Sequence, residues 1–163
     1  MVTRKYPLEA AMKTVRKTSV FPAKRDVVFS KLQELSTLQY IAAPYATFTP
    51  IDSAQPVVWT VGSTSSYRFR LFGFLPFGTH TIHIERFDRD GIRSKEGNEH
   101  VPVWNHTIIL RDIGDQTEYT DQVDIEAGLK TVFIWLWAKA FYAHRQKKWI
   151  RMLKEQNHEY NRN

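Results

Sequence analysis

At Gly128 the hydrophobic period of the chain changes. Upstream, apolar and polar residues alternate in short runs. Downstream, Leu129, Val132, Phe133, Leu136, Trp137, Ala140 and Phe141 recur at helical spacing and share one side of a helical wheel. A long amphipathic helix must bury that side on something, and the short strands before it are the material available. The stripe loses register beyond His144, where Arg145, Lys147, Lys148 and Arg151 crowd in, so the helix end is expected to run past the sheet into solvent. Trp149, Ile150 and Leu153 would then pack elsewhere or serve a partner.

The preceding chain supplies the strands. Lys13 to Phe21 is rich in β-branched residues; Pro22 opens a short helix over Ala23 to Leu32, and a second helical piece over Ser36 to Ile41 stops near Pro44. Strands are then predicted at Ala46 to Thr49, Val57 to Val61, Ser65 to Phe72, His80 to Phe87, Ile92 to Gly97, Val103 to Arg111 and Glu118 to Ile125. The separators Asp88 to Gly91 and Asp112 to Gln116 are hairpin chemistry, so the later strands read as an antiparallel meander.

Nothing divides this pattern into two cores. With 163 residues and no linker or repeat, the reading is a polar extension over residues 1–11, one domain over 12–157 and a tail over 158–163. Cysteine is absent, which removes disulfides, thiol catalysis and cysteine-based zinc sites together. The first twenty residues lack the apolar core of a signal peptide, and the run Val132 to Ala138 is far shorter than the roughly 20 residues that span a bilayer, so a cytoplasmic protein without a transmembrane segment is expected. The net charge of +6 sits at the ends: residues 1–25 carry +6, residues 142–163 carry +4 and the middle carries −4. Basic residues are not interleaved with base-stacking aromatics, so no nucleic-acid partner is expected; peripheral membrane contact and oligomeric state are left open.

A strand, two short helices, a run of antiparallel strands and a long terminal helix follow the element order of the helix-grip superfamily. That group includes START lipid-binding domains, birch-pollen-allergen-type carriers and polyketide cyclase/dehydrase-like (SRPBCC) proteins. The chain resembles a bacterial branch of it at Phe21-Pro22-Ala23, Glu85-Arg86-Phe87-Asp88, Val103-Trp104-Asn105-His106, Tyr119-Thr120-Asp121-Gln122-Val123 and Phe141-Tyr142-Ala143-His144-Arg145-Gln146. The resemblance implies an α+β fold in which a curved antiparallel sheet wraps a long C-terminal helix and encloses a cavity, usually for a hydrophobic ligand. Carriers and enzymes share this scaffold, so it leaves function open.

Residue patterning places candidate chemistry in that cavity. If Arg111 pairs with Glu118, then Ile108 lies opposite Asp121, His106 opposite Val123 and Trp104 opposite Ile125, all on one face. His106 and Asp121 are then diagonal neighbours on an apolar surface. Extending the meander by pairing Phe87 with Ile92 adds His83, Glu85, Ser94 and Glu96 to a common face. Tyr67 and Phe69 supply apolar wall from another strand, and Phe133, Trp137 and Phe141 from the helix. His80 and His83, three apart on a strand, face opposite ways, no metal-binding spacing occurs, and no Gly-rich phosphate loop is present, so neither metal nor cofactor is expected.

Three readings stay open at this point. In the first, a small hydrophobic molecule such as a lipid, isoprenoid or aromatic metabolite is bound by Trp104, Ile108, Val123, Phe133, Trp137 and Phe141 and oriented by His106, Asp121 and Glu96. In the second, a cyclase, hydratase or hydrolase uses His106 as general base with Asp121 holding its tautomer. In the third, the rings fill the cavity and the domain is an interaction module. The apolar segment Phe72 to Gly78, read as a loop, would cap the pocket, touch a membrane or partner, or tuck beneath the helix.

Overall fold

The computed structural model describes residues 11–52 and 59–160, the side chains of residues 159 and 160 excepted. The expected extension therefore lies outside the described residues apart from Ala11, and so do Val57 and Val58 of one predicted strand. Trp59 and Thr60, its described continuation, are irregular and lead into a turn at Val61 and Gly62 rather than into a strand.

Elements run in the order β1 (Lys13–Phe21), α1 (Arg25–Leu32), α2 (Leu35–Ala42), β2 (Ala46–Pro50), β3 (Thr64–Leu71), β4 (Leu75–Asp88), β5 (Gly91–Gly97), β6 (Val103–Asp112), β7 (Thr117–Glu126), a 3-10 turn (Gly128–Lys130) and α3 (Thr131–Tyr160). All pairings among these seven strands are antiparallel, in the spatial order β1-β7-β6-β5-β4-β3-β2. The curved sheet closes on α3, which is the helix-grip arrangement. Hairpin chemistry fixes the turns: at Gly91, where φ is +138°, a Cβ would collide with the carbonyl oxygen of Ile108, so only glycine fits.

Two expectations fail in ways that matter for the site. Phe72 to Gly78 is not a loop: a tight turn at Phe72, Gly73 and Phe74 leads straight into β4, whose first residues are Leu75 to Gly78. Phe72 sits at φ +53° beside Gly73 at +77°, the left-handed pair a close hairpin turn demands, and the bulky Phe accepts a conformation rare for non-glycine residues. Only Phe77 tucks inward, against Phe69 and His100; Phe72, Phe74 and Leu75 are exposed.

The second failure concerns α3. Its first turns and the 3-10 turn before them show their apolar stripe to solvent, with Leu129 91%, Phe133 74% and Leu136 52% exposed. The buried side is Ala138, Phe141, Tyr142, Arg145, Gln146, Trp149 and Leu153, again at helical spacing, so the half expected to project into solvent is the half the sheet grips. Arg145 and Gln146 lie inside this stripe because the sheet provides polar partners for them. Gln146 Nε2 donates to the Lys17 carbonyl on β1 (2.9 Å), and Trp135 Nε1 donates to that of Thr14 (2.9 Å), which pins the helix to the edge strand. Trp149 packs in tilted contact against Phe21 and Tyr119 at ring-centroid distances of 5.6 and 6.0 Å.

Candidate ligand pocket

Between the concave sheet face and α3 lies a cavity of about 240 Å³. It is not filled by the helix's aromatic rings, which form its wall instead: Phe133, Trp137 and Phe141 line it, with Trp104 and Ile108 from β6 and Phe69 from β3. Ile82, Ile84 and Ile92 complete the apolar surface. One region is polar, where His80, Ser94, Glu96, His106 and Arg145 meet.

The register of the last hairpin is as the sequence predicts, with Arg111 opposite Glu118, Ile108 opposite Asp121 and His106 opposite Val123. Diagonal placement brings His106 Nε2 to 2.8 Å from Asp121 Oδ1. Asp121 is fully buried and lies behind His106 rather than on the cavity wall, and Val123 and Tyr67 are likewise buried outside the lining. The Tyr67 hydroxyl accepts a hydrogen bond from Trp59 Nε1 (3.1 Å).

The extended register does not hold. Phe87 pairs with Ile92 as expected, but the ladder shifts between Ile84 and Arg86, so Ile84 rather than Glu85 faces Ser94 and Ile82 rather than His83 faces Glu96. A one-residue bulge inverts the faces of the strand before it. His83 therefore turns outward to Thr64 Oγ1 (2.8 Å) and Glu85 to Lys95 (2.7 Å), while His80 turns in and meets Glu96 Oε2 at 2.8 Å. Ser94 Oγ donates to Glu96 Oε1 (2.5 Å), and His106 Nδ1 lies 3.7 Å from the same oxygen.

The result is a continuous buried chain, His80, Glu96, His106, Asp121, closed from the helix side. Gln146 Nε2 donates to Asp121 Oδ2 (2.9 Å), the Tyr119 hydroxyl donates to Oδ1 (3.1 Å), and Arg145 Nη2 lies 3.9 Å from Oδ1. Tyr142, whose hydroxyl accepts from Trp104 Nε1 at 3.3 Å, packs its ring 5.3 Å from that of His106. Sequence reasoning missed His80, Tyr119, Tyr142, Arg145 and Gln146. A buried stripe read on spacing alone, with polar residues admitted, would have found the last three.

Charge in this cluster is matched. Burial raises the carboxyl pKa of both acids, but Arg145 and His106 around Asp121, and His106 and His80 around Glu96, reverse this and hold both below the ordinary carboxylate range. Burial opposes a charge on His106, yet its hydrogen bond to Asp121 and the neighbouring Glu96 outweigh it and raise the imidazole pKa. Two carboxylates thus share one guanidinium, Arg145, and two imidazoles, His106 and His80.

The shifts set a pH profile. A raised His106 contributes stability that is complete below its ordinary 6.5 and is lost as pH climbs through the raised value. Depressed Glu96 and Asp121 contribute stability present above their ordinary 4.5 and 3.8 and lost as pH falls through the lowered values. Urea unfolding midpoints are therefore expected to be highest between about pH 4.5 and 6.5 and to decline on the alkaline side. His106→Gln, which keeps a donor for Asp121 without titrating, should flatten the alkaline decline; an unchanged slope would remove His106 as its source.

No protein-family model matches the chain and no curated protein resembles it in sequence. Solved structures do. A START superfamily protein from Mycobacterium smegmatis superposes with a TM-score of 0.67 at 14% identity, over 88% of this chain and 98% of that one. A protein from Arthrobacter aurescens gives 0.66 at 14%, over 93% and 90%. Norcoclaurine synthase from Thalictrum flavum, solved with dopamine and hydroxybenzaldehyde, gives 0.61 at 12%, over 91% and 90%.

The chain has the START-like helix-grip fold. Among the described residues no helix is long and apolar enough to cross a membrane. Among the START-like domain's described residues there is no cluster of three metal-ligating side chains.

Proposed function

We propose that the START-like domain binds one compact, largely apolar molecule carrying an uncharged oxygen or nitrogen acceptor. The observation that carries this reading is a cavity of largely apolar walls whose ionisable groups are already paired with one another. Cavity volume limits the size: about 240 Å³ lies a little under the roughly 300–1,000 Å³ of ligand pockets in general, which favours a ring-sized metabolite or short isoprenoid over a two-chained lipid. The balanced cluster limits the charge, since an ionic ligand group would enter a buried site with no counter-ion left to meet it. Trp137 Nε1 and Arg145 Nε, on two residues of the wall, have no hydrogen-bond partner among the described residues, which fits a ligand that accepts.

Trp104, Ile108, Phe69, Phe133, Trp137 and Phe141 would supply apolar contact, Trp137 Nε1 and Arg145 Nε would donate to the ligand's acceptor, and His106 and Glu96 would form the polar wall that orients it. Asp121 would act through His106, and Tyr67 and Val123 as support behind the wall.

A carrier fits better than an enzyme with His106 as base. One imidazole nitrogen is bonded to Asp121 and the other faces Glu96, so both are already engaged within the protein and neither is aimed at a ligand proton. The enzyme reading draws support from norcoclaurine synthase, a synthase on the same fold. The two separate on His106→Ala: loss of turnover with affinity retained would establish the enzyme, and loss of affinity alone the carrier.

The test is saturable fluorescence enhancement of N-phenyl-1-naphthylamine, a neutral apolar probe, alongside native mass spectrometry of the purified protein. One probe per chain is expected, with binding weakened at least tenfold by Ile84→Trp, whose indole would occupy the cavity. A clean apo mass together with no saturable probe binding would defeat the proposal.

A further inference from the structure

The solvent side of α3 is unusual along its whole length. Its first turns present Val132, Phe133 and Leu136, on the side opposite the buried Ala138 and Tyr142, and the preceding 3-10 turn adds the exposed Leu129. Further along, the same side carries Lys147, Arg151 and Lys154, all exposed. From Lys130 to Lys154 the sequence holds seven Lys and Arg residues and no acid. An apolar tip continued by a cationic shaft is therefore built into one rigid helix. The turn at Phe72 lies beside the middle of the helix, since the Tyr45 ring is centred 6.2 Å from Phe72 and 4.9, 6.3 and 6.5 Å from His144, Phe141 and Trp137, and Phe74 beyond it is 75% exposed.

We propose that this helix side docks the protein on an anionic phospholipid bilayer, with Leu129, Val132, Phe133 and Leu136 entering the interface and Lys147, Arg151 and Lys154 lying over the headgroups. Apolar residues partition into the boundary between headgroups and acyl chains, while basic ones are drawn to the negative surface; the helix has both, in line. A second copy of the chain fits poorly, because a two-fold contact along this side would set the cationic shaft against its own copy if the helices ran parallel and against the apolar tip if antiparallel. A nucleic acid would meet the shaft but offers nothing apolar to the tip. Phe133 belongs both to this face and to the cavity wall, so the docked surface is continuous with the pocket and a membrane-partitioned ligand would have a short path inward.

Flotation with vesicles of phosphatidylcholine, with and without phosphatidylglycerol, tests the proposal independently of the pocket. Binding is expected only where phosphatidylglycerol is present and should weaken with added salt. Each basic residue at such a surface is worth about fivefold in affinity, so the triple variant Lys147→Glu, Arg151→Glu, Lys154→Glu should lose roughly a hundredfold or more. Leu129→Asp with Leu136→Asp should lose at least tenfold while keeping its melting temperature and N-phenyl-1-naphthylamine binding, since neither residue lines the cavity. The idea is overturned if wild type ignores anionic vesicles, if it floats equally well with both variants, or if the face instead supports concentration-dependent self-association without vesicle binding.

Discussion

Asp121→Ala is expected to destabilise the protein by about 3–5 kcal/mol, because it strips the balancing charge from a buried cluster without removing the cations. Three donors, His106 Nε2, Gln146 Nε2 and the Tyr119 hydroxyl, lose their acceptor together, and Arg145 is left facing them. In a domain of this size that corresponds to roughly 10 °C in melting temperature. Urea unfolding at neutral pH is the measurement, with Asp121→Asn as control: an amide keeps the shape and one acceptor, so its cost should be clearly smaller. Combining Asp121→Ala with Arg145→Met should cost less than the sum of the two, since each then removes the other's unpaired charge. A cost below about 1 kcal/mol for Asp121→Ala would mean that water reaches the cluster and satisfies it.

The second large effect separates the two halves of α3. Trp149→Ala is expected to cost about 3–5 kcal/mol, since the indole is wholly buried between Phe21 and Tyr119 and its loss opens a large void. Leu136→Ala, in the stripe that looks more hydrophobic in sequence, should stay within about 0.5 kcal/mol, as an exposed side chain has little to lose. Denaturant titration of both variants checks this, and equal costs would place the grip on the helix evenly along its length.

That contrast also explains what the sequence could convey. The last two strands and their hairpin were legible because inward positions recur at every second residue through Trp104, His106, Ile108 and Leu110, and Asp112 to Gln116 reads as the turn that links them. The contact of His106 with Asp121 followed from register alone. The clamp on α3 was not legible, because Arg145 and Gln146 belong to the buried side only through partners 24 or more residues away in sequence, and a hydropathy pattern scores them as interruptions. His80 was misplaced for a different reason: a bulge leaves no mark in a run such as His80 to Phe87, and strict alternation carried across it exchanges inside for outside. Neither the cavity's volume nor its lack of fill could be inferred from ring-bearing residues, since the same rings line a cup or plug it.

The bulge has a wider meaning for how this pocket is specified. Along β4 the inward side chains are chosen by residue count, with a single inserted position acting as a parity switch between His80 and His83. A chain lacking that insertion would reach the same arrangement only by moving its histidine one place along. Two such chains would look mismatched when their letters are aligned, yet seat the same imidazole against the same carboxylate. In this strand, chemical equivalence is therefore a property of the backbone path, and comparing pockets across the fold calls for matching positions in space before matching residues in line.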